Sequence, residues 1–388
     1  MRHGLHHKTL LSFLSRNSPS HVRPYARAQT ASLQTACFFF GLVLAIALIQ
    51  SSVLCSSGTL TGFGWAVLVS LSGGFFMAVS QWSALMRSPL PEPVTWRRAI
   101  AAGALLSVSL YLLGLALSAS PHDPLMLLAL SFIPWSRSLW RQAFAGDGFS
   151  RSRDRLNSML TLAAVVVFLY PEWKTLIQQA KLTLIPDLPS ASVFARVLKL
   201  MEFSATAPRS NALLSALLFG AASSLQRPQD RSIPTLIFWT IPAAIAALLL
   251  CSAGWVALHL IGNRASVFGY LHDPHISKLW SLAPALLVGV LLFAVRPRLH
   301  ARAAFRIGRE STQRWQFLGL CSGAVAGLLM LTSAQTGHLD LVLVALLLMA
   351  HWLTRSSHNS DQDRIQFAQT LRAVPAERNI ELTANAGQ

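Results

Sequence analysis

The sequence predicts an all-α polytopic membrane protein, a transmembrane helix bundle of about ten spans with both termini in the cytoplasm. Three observations predict it: the composition, a series of long apolar runs, and a one-sided distribution of positive charge. Of the 388 residues, 53% are hydrophobic and only 12% are charged, whereas about 25% are charged in an ordinary soluble domain. Together with a mean hydropathy of +0.47, this composition predicts a chain that lies in lipid.

The apolar runs predict the individual spans. A helix that crosses a hydrocarbon core of about 30 Å needs roughly 17 to 25 residues. Seven runs are strong candidates: 36–55, 62–82, 99–119, 235–261, 279–295, 316–335 and 339–354. Three more are shorter or interrupted: 124–140, which contains Pro134, 157–171, which we expect Pro171 to end, and 211–225.

The positive charge predicts the orientation. Six arginines crowd the segment between the runs 279–295 and 316–335: Arg296, Arg298, Arg302, Arg306, Arg309 and Arg314. With ten spans, most of the 32 Lys and Arg residues fall on the same side as this segment, and such a side faces the cytoplasm. Five tryptophans also lie at predicted cytoplasmic ends, where indoles settle at headgroup depth: Trp82, Trp96, Trp135, Trp315 and Trp352. The net charge of +17 is thereby explained by topology, so the expected partner is the lipid bilayer and not a nucleic acid.

On this scheme the chain has five parts. They are a basic cytoplasmic tail (1–34), a first five-span half (35–171), a periplasmic segment (172–210), a second five-span half (211–355) and a disordered cytoplasmic tail (356–388). Within the periplasmic segment, apolar residues recur at helical spacing over 191–203 and predict an amphipathic helix on the outer leaflet. The expected location is the inner membrane of a bacterium.

Two stretches have matching patterns. Trp96 to Trp135 contains a span, a small polar turn, a second span and then Trp-Ser-Arg-Ser, and Trp315 to Trp352 contains the same order and ends in Trp-Leu-Thr-Arg-Ser. Spans three and four thus correspond to spans nine and ten in the same orientation. This arrangement is similar in topology to the major facilitator transporters, which consist of two six-span halves. The glycine and aspartate of that family's loop signature do not occur between Gln81 and Arg98.

The motifs of several enzyme classes are absent from the sequence. It contains no G-x-x-x-x-G-K-[ST], no G-x-S-x-G and no paired carboxylates within a predicted span, which argues against an ATPase, a serine hydrolase of that type and a prenyl-diphosphate enzyme. The four cysteines, Cys37, Cys55, Cys251 and Cys321, include no C-x-x-C pair. We therefore expect no cofactor and no metal site, and an enzymatic role is the less favoured class.

A repeated tripeptide supplies the weak catalytic candidates. His122-Asp123-Pro124 and His272-Asp273-Pro274 both lie in predicted outer turns, where a histidine beside a carboxylate can act as a general base. The alternative is structural, because aspartate followed by proline is the preferred start of a helix. We favour that alternative by roughly nine to one, since neither pair has the geometry of a catalytic helix motif.

The weak substrate-binding candidates are basic. Arg196, Arg209 and Arg264 are the arginines on the predicted outer side, and arginine is suited to phosphate and carboxylate groups. His259 and His351 are the titratable side chains at depth within predicted spans. Ordinary solvated loop charges and packing histidines are the more frequent interpretations.

These observations favour a transporter or permease that moves an unidentified solute without an intramembrane carboxylate relay. One alternative is an envelope-biogenesis enzyme, a polymerase, ligase or transferase that acts on a lipid-linked substrate at the periplasmic face. The other is a membrane scaffold subunit of a secretion or synthesis complex, whose partners would be other membrane subunits.

Overall fold

Long helices account for nearly all of the chain that can be described. The computed structural model describes residues 22–87, 93–119, 123–145, 152–183, 207–225, 237–261, 282–307, 309–331 and 342–347. In these ranges there is no β-strand. Five helices are long and apolar enough to cross a membrane, which confirms the prediction of an all-helical protein with membrane-spanning elements: Thr30–Ser56, Gly62–Ser80, Trp96–Ala119, Ile241–Leu260 and Ala283–His300.

The helices are numbered here as they occur in the described ranges. In chain order they are α1 (Val22–Ser56), α2 (Gly62–Arg87), α3 (Pro93–Ala119), a 3₁₀ helix (Pro124–Phe132), α4 (Ile133–Ala145), α5 (Ser152–Thr183), α6 (Pro208–Leu225), α7 (Ile237–Ile261), α8 (Ala283–Gly289), a π-helical turn (Val290–Val295), α9 (Arg296–Ile307) and α10 (Arg309–Leu331). Residues 342–347 are also helical. Each of the ten predicted spans overlaps a helix, while ten membrane crossings and the side of the termini stay predictions.

The expectation that Pro171 ends a helix is wrong. Helix α5 contains Pro171 and continues to Thr183, so it enters the stretch that we assigned to a periplasmic segment. Proline removes one backbone hydrogen bond and crowds the carbonyl of the preceding turn. The carbonyl that loses its donor is that of Val167, four residues earlier. The next carbonyl, of Phe168, accepts a hydrogen bond from a guanidinium nitrogen of Arg209 at 3.2 Å.

The arginine-rich connection is helical and not an open loop. The π-helical turn leads directly into α9, and only residue 308 separates α9 from α10 in the described chain. Pro297 has no amide hydrogen, so the carbonyl of Phe293, four residues earlier, lacks its usual donor. The N–H of Arg296 donates to the carbonyl of Leu291, five residues back, and this wider turn accommodates the proline.

Glycines set the distance between several helices. A methyl group on Gly319 of α10 would overlap the carbonyl of Phe38 in α1, and one on Gly41 would overlap the carbonyl of Gln316. Gly62 of α2 and Gly114 of α3 face each other in the same way. Lipid tails are as apolar as leucine, so helices associate in a membrane through close packing of small residues rather than through a hydrophobic driving force.

Buried serines connect further pairs of helices by hydrogen bonds. Ser52 of α1 donates to the carbonyl of Leu117 in α3 at 3.0 Å, and Ser136 of α4 donates to the carbonyl of Leu217 in α6 at 2.8 Å. Ser109 of α3 and Ser215 of α6 lie 3.1 Å apart through their hydroxyl oxygens. Contacts of this kind add specificity to packing that small residues make possible.

Helix α6 lies inside the bundle. Twelve of its 18 residues are buried, and its neighbours are α3, α4, α5 and the 3₁₀ helix. Outward-facing leucines such as Leu214 are the exception, with 45% of that residue exposed. A short helix rich in small residues is thus enclosed by these four neighbours, of which α3 is a candidate membrane span.

A bulky residue at the closest of these contacts tests the packing. We expect Gly319→Val to lower the free energy of unfolding by about 1–3 kcal/mol, because a well-packed contact has no room for added methyl groups. The measurement is the melting temperature of the purified protein in detergent. Ala326→Val, on the exposed side of the same helix, is the matched control, with an expected change within about 0.5 kcal/mol. Equal melting temperatures for the two variants would contradict the assignment.

Candidate functional site

A cluster of charged and polar side chains joins three elements at one end of the bundle. We call it the latch: Asp123 ahead of the 3₁₀ helix, Glu172 of α5, and Arg209 and Ser210 at the start of α6. The Arg209 Nε atom lies 2.6 Å from Asp123 Oδ2, and the two side chains are only 10% and 22% exposed. A charge pair this enclosed is stabilising only when hydrogen bonds satisfy its remaining atoms.

Glu172 supplies the acceptors that the start of α6 needs. The first amides of a helix have no partner within the helix, and here the amide of Arg209 donates to Glu172 Oε1. The amide and hydroxyl of Ser210 donate to Oε2 at 2.9 and 2.5 Å. Carboxylates are favoured at this position because the partial positive charge of the helix dipole lies there. One glutamate of α5 therefore caps α6 from outside.

Asp123 caps the 3₁₀ helix while it binds Arg209. Its Oδ1 atom accepts the amide of Leu125 at 3.2 Å, and Pro124 occupies the first turn. This is the structural role that the sequence suggested for an aspartate followed by proline. The two carboxylate oxygens thus have different partners, the helix start and the guanidinium.

Arg209 also contacts Phe168 in two ways. Besides the bond to the Phe168 carbonyl, its guanidinium carbon lies 5.6 Å from the centre of the Phe168 ring. That ring packs edge-on against Phe132 of the 3₁₀ helix, with 5.9 Å between ring centres. Helices α5 and α6 and the 3₁₀ helix therefore meet at one arginine.

The latch brings together two residues that the sequence placed in separate candidate sites. Asp123 was a weak catalytic candidate and Arg209 a weak anion clamp, and in the structure each is the other's partner. Nε binds Asp123 and one terminal nitrogen binds a backbone carbonyl, so the guanidinium is held by partners within the chain. This geometry favours a structural role for both.

Of the other candidates, the structure describes only His259. His122, His272, Asp273, Arg196, Arg264 and His351 lie outside the described residues, as do the predicted amphipathic helix and the C-terminal tail. His259 is described: it is exposed on α7 and packs edge-on against Trp255, one turn earlier, at 4.1 Å between ring centres. Its environment is the outer surface of the bundle. Within the ranges that the structure covers, no three His, Cys, Asp or Glu side chains converge on a position for a metal ion.

Helix α6 is a second candidate site, one that the sequence did not single out. Asn211, Ser215 and Ser223 follow one row of positions four and eight residues apart, and all three are buried. The signal was present as several polar residues in a short predicted span. The sequence alone did not show that this helix is buried, so these residues could not be recognised as an enclosed polar row.

Arg296 brings a positive charge to α6. Its guanidinium carbon lies 4.9 Å from the centre of the Phe219 ring, and Phe219 is 5% exposed. No carboxylate of the described residues lies within ion-pair distance of Arg296. An arginine within a candidate span marks a functional position by default, although the sequence counted it with the cytoplasmic charges.

Comparisons with models of protein families and with curated proteins find no match for this chain. The candidate site is therefore defined by the contacts of its own residues.

Removal of the latch arginine tests its structural role. We expect Arg209→Ala to lower the free energy of unfolding by about 2–4 kcal/mol, because it leaves an enclosed carboxylate and a backbone carbonyl without their donor. The measurement is a double-mutant cycle of melting curves with Asp123→Asn. A coupling of about 1 kcal/mol or more is expected for groups in direct contact. Additive effects of the two substitutions would show that the pair does not act as a unit.

Proposed function

We propose that this chain is a transporter or permease of a bacterial inner membrane, with a pathway for an unidentified solute along α6. The proposal includes ten spans and cytoplasmic termini, as the distribution of charge favours. The observation that carries it is the burial of α6, whose polar residues Asn211, Ser215 and Ser223 lie enclosed among α3, α4, α5 and the 3₁₀ helix. Binding sites in helix bundles are built from side chains on such inward faces.

The chemistry of α6 suits a polar solute that is not bound by a protein carboxylate. Ser223 and Ser224 donate to the carbonyls of Gly220 and Ala221 at 2.8 and 2.7 Å. A hydroxyl that donates within its own helix keeps lone pairs that can accept a bond from a solute. The sequence of α6 after Arg209 has no charged residue, so coupling to protons through an acidic side chain on this helix is not part of the proposal.

Irregular helices around α6 support the same proposal. The 3₁₀ helix contacts α6 directly, α5 contains Pro171, and the π-helical turn leads to Arg296, which reaches Phe219. Interrupted helices at a binding site are frequent in transporters, and π-helical turns are frequent at functional positions.

The enzyme alternative loses two of its residues to the latch, since Asp123 and Arg209 bind each other. The scaffold alternative predicts a sealed bundle with no aqueous access to α6. It is therefore the outcome against which the transporter proposal is tested.

Accessibility of cysteines on α6 tests the pathway. In a chain without Cys37, Cys55, Cys251 and Cys321, we expect Ser215→Cys and Ser223→Cys to react with a cationic methanethiosulfonate in permeabilised cells. The reactive form of cysteine is the thiolate, which forms in water. Both cysteines should therefore react roughly tenfold faster than Leu214→Cys, whose position faces outward from the bundle and, in this proposal, toward lipid. The measurement is the rate of labelling in membranes.

Two results would overturn the proposal. If Ser215→Cys and Leu214→Cys react at the same slow rate, α6 lines no aqueous pathway and the scaffold alternative is favoured. Arg302→Cys, at an exposed position of α9, reports the orientation in the same experiment. Its labelling in intact cells, before the inner membrane is opened, would contradict the cytoplasmic side for the arginine-rich segment.

A further inference from the structure

Helix α9 has a basic side and a packed side. Its sequence, Arg-Pro-Arg-Leu-His-Ala-Arg-Ala-Ala-Phe-Arg-Ile, has four arginines and no acidic residue. Ala303 is fully buried, and Leu299, one turn earlier, packs against the core. Arg298 and Arg302 are also one turn apart, and the Arg302 side chain is exposed. The helix thus binds the bundle with one side and presents guanidinium groups on another.

Arg298 connects α9 to the end of α2. A terminal nitrogen of Arg298 donates to the carbonyl of Ser80 at 3.0 Å, in an exposed position. This bond uses one of the five N–H donors of a guanidinium. No carboxylate of the described residues pairs with Arg298, so four of its donors and its charge are open to an anionic ligand in the part of the chain that the structure describes.

An exposed apolar surface adjoins these arginines on both helices. On α2, Phe76 lies one turn before Ser80 and is 47% exposed, and Val79 is 58% exposed. Val295 precedes Arg298 by three residues and is 37% exposed. Both helices belong to candidate membrane spans that include these residues: Gly62–Ser80 and Ala283–His300. The guanidinium groups therefore lie at the end of a lipid-facing apolar wall.

We propose that Arg298 and Arg302 bind the phosphate headgroup of an anionic phospholipid whose acyl chain packs on Phe76, Val79 and Val295. The two parts of such a lipid match the two parts of this surface: its phosphate is complementary to the arginines, and its acyl chain is complementary to the exposed apolar side chains. Basic positions beside transmembrane helices bind lipid headgroups in this way. A free phosphate would satisfy the arginines and leave the wall unused. The proposal is independent of transport and requires only that the bundle lie in a membrane.

Lipid retention by the full chain tests the proposal. The protein is purified in detergent, and binding of dioleoyl phosphatidylglycerol is titrated by native mass spectrometry, with dioleoyl phosphatidylcholine as the zwitterionic probe. We expect saturable binding of the phosphatidylglycerol. Arg298→Gln and Arg302→Gln should each weaken the affinity about fivefold, since each arginine near a charged membrane surface contributes about that factor to binding. Arg298→Lys retains the charge and should recover most of the affinity.

Arg97→Gln is the matched control. Arg97 is exposed on α3, so its substitution removes the same charge from another helix and should leave lipid affinity unchanged. Because the Arg302 side chain is exposed, Arg302→Gln keeps the test valid even if Arg298→Gln does not fold. Equal weakening by Arg97→Gln and Arg298→Gln, or equal affinity for the two lipids, would overturn the proposal. Displacement of the bound lipid by millimolar inorganic phosphate would also overturn it and would assign the arginines to a free anion.

Discussion

Helix backbones in this bundle approach one another closely, and the rest of the structure depends on that approach. Water is absent from the hydrocarbon core, so packing and internal hydrogen bonds must hold the helices together. Gly41 and Gly319 allow α1 and α10 to meet, and Gly62 and Gly114 do the same for α2 and α3. Only when the helices lie this close can a serine of one reach a carbonyl of the next, as Ser52 reaches Leu117.

The close packing also explains how polar groups are tolerated. In the latch, each end of a charged group has a partner: Asp123 caps the 3₁₀ helix and binds Arg209, and Glu172 caps α6. The same arginine satisfies a carbonyl in the turn that Pro171 disturbs. Arg296 and Arg298 differ from the latch residues, because their described contacts are an aromatic ring and a backbone carbonyl. The arginine paired with a carboxylate is thus separated from the arginines that contact uncharged groups.

The sequence predicted the elements better than their relations. Hydropathy placed a helix at each apolar run, and the Asp-Pro pair correctly predicted the helix start at Asp123. Pro171 was predicted to end its helix because proline disfavours a helix interior. Helix α5 nevertheless continues to Thr183, and its contacts with α6 through Glu172 and Arg209 could not be read from the local sequence. The arginine-rich segment was predicted only as a connection between two spans, because its charge masked a helical pattern in which Leu299 and Ala303 pack inward. The packing of α6 against α3 and α4 could not be predicted, since it depends on contacts between residues far apart in the chain.

A cross-link tests most directly whether α6 packs against α3. The hydroxyl oxygens of Ser109 and Ser215 lie 3.1 Å apart, so cysteine sulfurs at the same two positions start close to each other and need only a side-chain adjustment to reach the S–S length of about 2.05 Å. In a chain without the four native cysteines, Ser109→Cys with Ser215→Cys should form a disulfide in membranes under mild oxidation. Ser109→Cys with Leu214→Cys, on the exposed side of α6, should not. Cross-linking of the second pair without the first would contradict the packing of Ser215 on α6 against α3.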